Sequence, residues 1–239
     1  MIAAVLPITT PVFLAGAGLL ALAARKIPVE QRRRLWLKYL VYVLVVHLVL
    51  ATIVADWFVV VAASILAAGA VELVRALVRI KGEMLRCAIG LAYLGLAGLV
   101  LAGASRLPQN LLVFLYLVVA GFDGFSEIFG RLLGKTKLAP ALSPGKTMEG
   151  AIAGGAGAVL LAAAARPIAG LSLGLCGLAG AAIAVTCLSG DLAASWVKRR
   201  AGIKDYSRII PGHGGVLDRF DSFLGAGAVA GAIVLALGR

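Results

Sequence analysis

The chain has 239 residues, of which 62% are apolar and 14% are charged, and its formal net charge is +12. Soluble domains contain about 45–50% apolar and about 25% charged residues, so this composition excludes an ordinary soluble protein. We therefore expect a protein whose main solvent is lipid.

Apolar runs long enough to cross a bilayer, which takes about 20 residues, follow one another along the chain. They predict an all-α polytopic membrane protein with about eight transmembrane helices, at residues 3–24, 36–54, 57–76, 87–104, 109–130, 150–165, 168–195 and 219–238. Two points stay open. One long tilted helix could replace the second and third runs, which a short break at Asp56 and Trp57 separates, and the short sixth run could be re-entrant. The first run has no charge before Arg25, so we expect a retained span and not a cleaved signal peptide.

Basic residues indicate on which side of the membrane each link lies. Twenty of the 23 lysines and arginines fall in the links after runs one, three, five and seven. Because positively charged links stay in the cytoplasm, we expect both termini outside and all four basic links inside, as in a multi-pass protein of a bacterial-type inner membrane. This topology, and the attraction of basic residues to anionic lipid headgroups, accounts for the high charge, so no nucleic-acid partner is expected.

The polar residues inside the apolar runs divide the chain loosely into two regions. Residues 1–108 form plain transmembrane runs, whereas residues 109–239 hold nearly all the polar intramembrane residues and a strongly polar loop at 195–221. We therefore expect the active site at the cytoplasmic side of the C-terminal region. The cysteines, Cys87, Cys176 and Cys187, lie in or beside apolar runs and are predicted to be small core residues, without disulfides or a zinc site.

The first polar constellation begins at Asp123. Asp123 and Glu127 lie four residues apart on one face of the fifth run, and intramembrane carboxylates indicate either function or an internal ion pair. The segment Ser143–Gly150 then places Lys146 and Thr147 at the predicted start of a helix, where charge, hydroxyl and helix N-terminus together could bind phosphate. The alternative is a structural cap, with Thr147 as the N-cap residue.

The second constellation ends the seventh run. Asp191, Ser195 and Lys198 fall on one face of a helix that continues past the membrane surface. A carboxylate near the membrane is costly unless it meets a cation, so the pattern indicates either a metal site or an ion pair. In the ion-pair alternative, Asp191 pairs with Lys198 or Arg199 and holds the helix end.

The third constellation is a glycine-rich loop before the last run. Gly214 and Gly215 follow His213 and allow the backbone to approach a ligand and present N–H groups, as anion-binding nests do. Asp218 and Asp221 add hard oxygen ligands, so phosphate and magnesium both fit this loop. The alternatives are structural: Asp218 caps the last helix, and His213 is an ordinary turn residue.

The order of these groups matches a known signature. Residues 195–221 contain Ser, Lys-Arg, Lys-Asp, Pro-Gly-His-Gly-Gly and Asp-Arg-Phe-Asp in that order, and residues 143–150 read SPGKTMEG. With these motifs the chain resembles the phosphatidate cytidylyltransferases, also called CDP-diacylglycerol synthases, over roughly residues 109–225. One departure is Ser126-Glu127, where the family usually shows Ala-Tyr. It leaves the identity of the lipid phosphate open, including an isoprenoid-derived one.

The resemblance implies that CTP and phosphatidic acid, or a related lipid phosphate, react in the lipid bilayer to give CDP-diacylglycerol and pyrophosphate. It implies that Mg²⁺ is required and is held by Asp191 and Asp218. The residues expected to act in catalysis are Asp191, Asp218, Lys198, Lys204 and Asp221. The residues expected to bind substrate are Arg199, His213, Gly214, Gly215, Arg219, Ser195, Lys146, Thr147 and Asp123. The sequence leaves the oligomeric state open, and a homodimer is one candidate.

Two other classes of function remain open on the sequence. An anion or cation transporter is suggested by the intramembrane Asp123 and Glu127, and it predicts flux across vesicles without consumption of CTP. A CTP-dependent lipid kinase shares some of this loop chemistry but releases CDP in place of pyrophosphate. The identity of the products therefore separates the three classes.

Overall fold

The computed structural model describes residues 2–25, 28–210 and 214–238. Within these ranges the chain forms helices α1 (Ile2–Ala24), α2 (Val29–Val54), α3 (Phe58–Leu77), α4 (Glu83–Arg106), α5 (Gln109–Leu133), α6 (Met148–Ala164), α7 (Arg166–Ala169), α8 (Leu173–Arg200) and α9 (Val216–Ala236). An antiparallel hairpin of β1 (Lys137–Ala139) and β2 (Ser143–Thr147) precedes α6.

The helices confirm a multi-pass membrane protein. Of the helices in the described ranges, seven are long and apolar enough to cross a membrane: α1 to α5, α8 and α9. Helix α6 is also apolar but has only 17 residues. The hairpin is a small departure from the all-α prediction. It forms in the polar segment between α5 and α6, where no apolar run indicated a helix.

The structure separates the second and third runs into two helices. Between them Asp56 adopts a left-handed backbone conformation, with φ of 60°, which a continuous helix does not allow. The side-chain amide of Gln109 donates to the carbonyl oxygens of Ile53 and Val54, at 2.9 and 3.1 Å, and so satisfies the end of α2. The alternative of one long tilted helix is therefore wrong.

Helix α6 lies antiparallel against α5 because glycines on α6 let the two backbones approach. A Cβ atom added at Gly150 would lie 2.8 Å from the carbonyl oxygen of Ser126, and one at Gly154 would lie 2.9 Å from that of Phe122. At the far end Asn110, in the first turn of α5, donates to the carbonyl oxygen of Ile168 in α7 at 3.2 Å. Together α6 and α7 thus run beside α5 from near its last turn to its first.

The predicted seventh run is divided in the structure. Residues before Gly170 belong to α7, and α8 begins only at Leu173. Gly170 ends α7 in a left-handed conformation, with φ of 68°, and the Ser172 hydroxyl accepts the backbone N–H of Leu175 at 3.3 Å to begin α8. A glycine C-terminus followed by a serine N-cap is the usual reason for such a break.

Helix α5 is the centre of the bundle. Its residues from Leu112 to Phe122 are all buried, whereas the outer helices leave many large apolar side chains exposed to the lipid. Cys176 and Cys187 are fully buried, as predicted, but Cys87 is exposed on α4. The core prediction for Cys87 is wrong because an apolar run in a membrane protein can face lipid as well as protein.

The polar ends of several helices meet at one end of the bundle, here called the polar end. Lys38, near the start of α2, pairs with Glu127, near the end of α5, at 2.7 Å. Glu72, near the end of α3, accepts the first N–H groups of α9, and Lys198, near the end of α8, pairs with Asp218 of α9. The basic links of the sequence therefore lie around the polar end of the bundle.

Candidate active site

Four aspartates occupy the polar end of the bundle. Asp123 lies in α5, Asp191 in α8, and Asp218 and Asp221 in the first two turns of α9. The structure brings them close together: Lys198 contacts both Asp218 and Asp221, and Ser222, which follows Asp221, donates to Asp123 at 2.9 Å. A cluster of like charges in a protein interior is stable only where cations neutralise it.

Small residues explain how α8 and α9 bring Asp191 and Asp221 together. A Cβ atom at Gly190 would lie 2.7 Å from the carbonyl oxygen of Asp221, and one at Gly225 would lie 2.6 Å from that of Thr186. The two glycines also face each other across the crossing point. Backbone-to-backbone contact of this kind is typical of small residues at membrane helix interfaces.

Lys198 is the cation at the centre of the cluster. Its Nζ lies 2.7 Å from Oδ1 of Asp218 and 4.0 Å from Oδ2 of Asp221, and the side chains of all three are at most 10% exposed. Lys198 and the two aspartates, which the sequence assigned to catalysis, thus form one contiguous group.

Asp191 pairs with Lys146 of strand β2, and not with the lysine or arginine of its own helix that the ion-pair alternative named. The hydroxyl of Ser195, one turn further along α8, lies 3.5 Å from Oδ1 of Asp191, so the predicted face of α8 is present. Arg199 donates from Nε to the carbonyl oxygen of Leu142 at 2.9 Å. This bond attaches the hairpin to the end of α8 and so positions Lys146.

Thr147 serves as the N-cap residue of α6, as the structural alternative proposed. Its hydroxyl accepts the backbone N–H of Gly150 at 3.2 Å, and the Thr147 side chain is buried. The same residue packs against α5, because a Cβ atom at Gly130 would lie 3.3 Å from the Thr147 hydroxyl. Thr147 therefore fixes where β2 ends and holds Lys146, its neighbour in sequence.

Arg219 joins the first turns of α9 to α2 and α5. Its guanidinium lies over the ring of Tyr42, 4.5 Å from the centroid, and one terminal nitrogen is 3.9 Å from Oδ2 of Asp123. Oδ1 of Asp123 accepts the hydroxyl of Ser222 at 2.9 Å. The Nε atom of Arg219 is buried and has no hydrogen-bond partner in the described part of the chain, so this arginine has unused donor capacity.

The glycine-rich loop approaches carboxylates of the protein itself. Gly214 has φ of 85°, and a Cβ atom there would lie 2.8 Å from Oδ2 of Asp218. The N–H of Gly215 donates to the same oxygen at 2.9 Å, and the N–H of Gly214 donates to the carbonyl oxygen of Ile210 at 3.2 Å. Both backbone donors that the sequence offered to a phosphate thus already have partners.

Glu72 is a site residue that the sequence reasoning missed. It lies in α3, is 2% exposed, and accepts the N–H groups of Val216 and Leu217 at 3.0 and 2.8 Å. It also accepts the hydroxyl of Ser207 at 2.6 Å. Gly215 permits this contact, since a Cβ atom there would lie 2.5 Å from the Glu72 carboxylate. Glu72 therefore caps α9 from another helix and fixes the loop that precedes it.

Two other described loop residues, Tyr206 and Lys204, differ in exposure. Tyr206 is buried, and its desolvation, reinforced by the nearby carboxylates of Asp221 and Asp218, raises the pKa of its hydroxyl above the ordinary value. The hydroxyl therefore stays protonated and can donate to a carbonyl oxygen of α8. Lys204 is exposed and has no ion-pair partner among the residues that the structure describes. His213 lies outside the described residues.

The arrangement suits the binding of phosphates beside carboxylates. Lys146, Lys198 and Arg219 supply three cations in a partly desolvated region, where charge-assisted hydrogen bonds to phosphate are strong. The aspartates hold these cations in place and offer oxygen atoms, which are the ligands that Mg²⁺ prefers. Among the described residues, no group of three or more His, Cys, Asp or Glu side chains forms a preassembled metal site. A magnesium ion here would draw further ligands from phosphate and water.

Comparison with known proteins points in the same direction. The sequence model described as the Cytidylyltransferase family matches residues 3–237 of the chain. A protein of Brucella abortus biovar 1 (strain 9-941), named phosphatidate cytidylyltransferase, is 42% identical over 149 residues, which cover 59% of this chain and 54% of the relative. A Staphylococcus saprophyticus protein of the same name is 38% identical over 140 residues, covering 58% of this chain and 54% of the relative. The chain spans about half the length of the curated relatives it matches.

Proposed function

The chain belongs to the cytidylyltransferase family, and we propose that it transfers the cytidylyl group of CTP to a membrane lipid phosphate. Phosphatidic acid is the proposed acceptor, with CDP-diacylglycerol and pyrophosphate as products, because the similar proteins carry the name phosphatidate cytidylyltransferase. One observation carries the proposal: a group of lysines, an arginine and aspartates, buried or partly buried, lies at the polar end of a membrane bundle. A water-soluble nucleotide and a lipid headgroup can meet there.

The reaction asks the protein mainly for positioning and for neutralisation of charge. An oxygen of the lipid phosphate attacks the α-phosphorus of CTP, and the bond from that phosphorus to the oxygen of the β-phosphate breaks, which releases pyrophosphate. Both partners are anions, so cations that bind them lower the barrier most. Lys146, Lys198, Arg199 and Arg219 are the proposed phosphate ligands. The lipid phosphate is already ionised near neutral pH, so no strong general base is needed.

Magnesium is proposed as the cofactor, held by Asp191 and Asp218. Asp191 pairs with the ammonium group of Lys146, and Asp218 pairs with that of Lys198. Both carboxylates thus lie where a cation binds, which supports their assignment as magnesium ligands. Mg²⁺ is commonly bound by one or two carboxylates together with substrate phosphates and water. When bound, the ion would neutralise charge on the phosphates. Asp221 and Asp123 would orient the surrounding lysine and arginine.

The polar end is proposed to face the cytoplasm, with eight membrane crossings. Helices α6 and α7 together run beside α5, which supports counting them as one crossing. The positive-inside rule then assigns the basic links to the cytoplasm, where CTP is found. A cysteine at Lys204 tests this topology. A membrane-impermeant maleimide should modify Lys204→Cys in inside-out vesicles and not in right-side-out ones, whereas the reverse pattern would contradict the proposed orientation.

The activity is tested with purified protein in mixed micelles of detergent and phosphatidic acid, with CTP and Mg²⁺. We expect pyrophosphate release that depends on both substrates and falls about 100-fold or more in Asp191→Asn and Asp218→Asn. Asp56→Asn is the matched control, because Asp56 lies at the opposite end of the bundle, beside Gln109. Equal activity in the two site variants and the control would refute the assignment of the site.

The transporter alternative loses the observation that suggested it. Glu127 is paired with Lys38 at 2.7 Å and with Arg131 at 2.9 Å, and Asp123 is held by Ser222 and Arg219. Both intramembrane carboxylates thus have internal partners, as the ion-pair explanation requires. Glu127 is also the extra carboxylate at the departure from the family motif. Because Lys38 and Arg131 neutralise it, it need not repel a lipid phosphate. Homodimer formation stays a prediction.

A further inference from the structure

The β1–β2 hairpin, which carries Lys146, is attached to the bundle at its turn and at its base. At the turn, Nε of Arg199 donates to the carbonyl oxygen of Leu142 at 2.9 Å. At the base, the N–H of Met148, the first residue of α6, donates to the carbonyl oxygen of Thr136 at 2.9 Å. The position of Lys146 between these two points therefore depends on both attachments.

Glu149 strengthens the attachment at the base. Its carboxylate accepts the backbone N–H of Lys135 at 3.1 Å, and that of Thr136 at 3.1 Å on one oxygen and 3.2 Å on the other. These amides directly follow Gly134, the C-cap residue of α5. Hydrogen bonds to a charged acceptor are roughly twice as strong as those between neutral groups. Glu149 therefore joins the end of α5 to the start of α6 and fixes where β1 begins.

Packing contributes little to the position of the hairpin. Lys135, Thr136 and Lys137 are exposed at its base. A Cβ atom added at Gly145, the residue before Lys146, would meet no atom of the described chain within 4 Å apart from those of its neighbours in sequence. A two-stranded ribbon is only marginally stable by itself in water. The hydrogen bonds from the hairpin to the helices therefore decide where its side chains lie.

Glu149 is not needed as the cap of its own helix. Thr147 is the N-cap residue of α6, and its hydroxyl accepts the N–H of Gly150 at 3.2 Å. The carboxylate of Glu149 is thus available to the hairpin. Lys146, three residues before Glu149, extends from the hairpin to Asp191 and pairs with it. A chain of contacts therefore runs from Glu149 through the hairpin to Asp191.

We propose that Glu149 is a positioning residue that acts through Lys146, holding its ammonium beside Asp191 and toward the phosphates of the nucleotide. This inference rests on the proposed function. The hairpin lies in a polar link outside the long apolar helices, so the water-soluble CTP, and not the lipid phosphate, is the partner that Lys146 meets. Glu149 then acts on the hairpin as Glu72 acts on the loop before α9. Each accepts backbone N–H groups from a segment that carries site residues.

Binding of labelled CTP to the purified protein in detergent with Mg²⁺ tests this role. Lys146→Met should raise the Kd for CTP about tenfold or more, since it removes a charged hydrogen-bond donor. Glu149→Ala should raise the Kd several-fold, because the ammonium is displaced but still present. Glu83→Ala is the matched control. Glu83 also lies in the first turn of a helix, so both variants lose the same interaction with a helix dipole, and the control should leave the Kd unchanged.

The double variant decides whether Glu149 acts through Lys146. If it does, adding Glu149→Ala to Lys146→Met should change the Kd by no more than about twofold. Multiplied losses would overturn the proposal, and so would a wild-type Kd in a folded Glu149→Ala protein. In the transfer assay, Glu149→Ala should raise the KM for CTP and leave the KM for phosphatidic acid unchanged. A rise in the lipid KM alone would contradict the assignment of Lys146 to the nucleotide.

Hydrogen exchange tests the contact itself, without substrate. The amides of residues 135–147 should exchange faster in Glu149→Ala than in the wild type or in Glu83→Ala, while the amides of α9 keep their rates. Glu149→Gln, which keeps one acceptor oxygen, should show a smaller change in both exchange and Kd. Wild-type exchange in Glu149→Ala would refute the positioning role. If the wild type neither binds nor consumes CTP while exchange responds as expected, the proposed function fails and the hold of Glu149 on the hairpin stands.

Discussion

Glu72 offers the sharpest test of how the loop is positioned. Its carboxylate accepts two N–H groups at the start of α9 and the hydroxyl of Ser207, all within 3.0 Å. In Glu72→Gln the remaining oxygen can keep Ser207 and Val216, because both donate to Oε1, but the new NH₂ group faces the N–H of Leu217. One buried donor is then left without an acceptor, which costs about 1–3 kcal/mol. Glu72→Ala removes all three bonds, leaves more than one donor without an acceptor, and should cost more than Glu72→Gln.

The buried cysteines give a direct assay. Cys87 is exposed and reacts in the folded protein, whereas Cys176 and Cys187 are fully buried, so the additional reaction of a thiol-reactive dye reports unfolding in detergent. For a chain of this size, about 1–3 kcal/mol corresponds to a fall in Tm of roughly 2–12 °C in Glu72→Gln. Glu83→Gln is the matched control, since Glu83 is exposed at the start of α4, and it should change stability by less than about 0.5 kcal/mol.

Positioning by Glu72 also predicts a kinetic effect below the unfolding temperature. The helix end that Glu72 caps carries Asp218, and a displacement of about 1 Å at a catalytic group can cost about 100-fold in rate. We expect Glu72→Gln to lower kcat by about tenfold or more with little change in the KM for CTP. A positioning role for Glu72 is refuted if Glu72→Gln unfolds at the wild-type temperature, or if a destabilised but folded variant keeps the full kcat.

Three further substitutions test the packing and charge of the site. Gly215→Ala should lower the Tm in the dye assay as Glu72→Gln does, because its Cβ would lie 2.5 Å from the Glu72 carboxylate. Gly145→Ala is the control, because Gly145 has open space around it. Gly190→Ala should cost about 1–3 kcal/mol by forcing α8 and α9 apart, whereas Gly177→Ala on the same helix faces open space and should be neutral or slightly stabilising. Lys198→Met leaves two buried carboxylates without their cation and should cost about 3–5 kcal/mol. Added Mg²⁺ should restore part of the lost Tm. A wild-type Tm in Lys198→Met would show that the pair is not buried.

Hydropathy predicted the seven long apolar helices, and the polar constellations together with the family resemblance singled out the aspartates. The apolar runs predicted the helices because lipid requires about 20 consecutive apolar residues whatever the tertiary contacts are. Asp123 and Asp191 stood out because a carboxylate in or near an apolar run is costly and needs a reason, whereas Asp218 and Asp221 stood out as oxygen ligands beside the glycine-rich loop. The same rule applied to Glu72, which is the acid within the third run, and it would have found this residue.

Partners distant in sequence could not be predicted in the same way. Lys146 neutralises Asp191 across 45 residues, and Glu72 caps α9 across more than 140, so no local spacing indicates either pair. The alternative that paired Asp191 with its own helix failed because the hairpin, which the apolar runs did not indicate, brings Lys146 into reach. The glycines of the loop were expected to approach a phosphate. In the structure their lack of a side chain first makes room for the carboxylates of Glu72 and Asp218.

Cytidylyl transfer is tested most directly by following two labels of CTP into the lipid product. Purified protein, Mg²⁺ and phosphatidic acid are incubated with CTP labelled either at the α-phosphorus or at the γ-phosphorus, and the lipid phase is extracted. We predict that α-label enters the lipid in step with pyrophosphate release and that γ-label stays in the aqueous phase. Asp218→Asn should abolish both the lipid label and the release of pyrophosphate. Transfer of γ-label to the lipid with release of CDP would contradict it and identify a kinase.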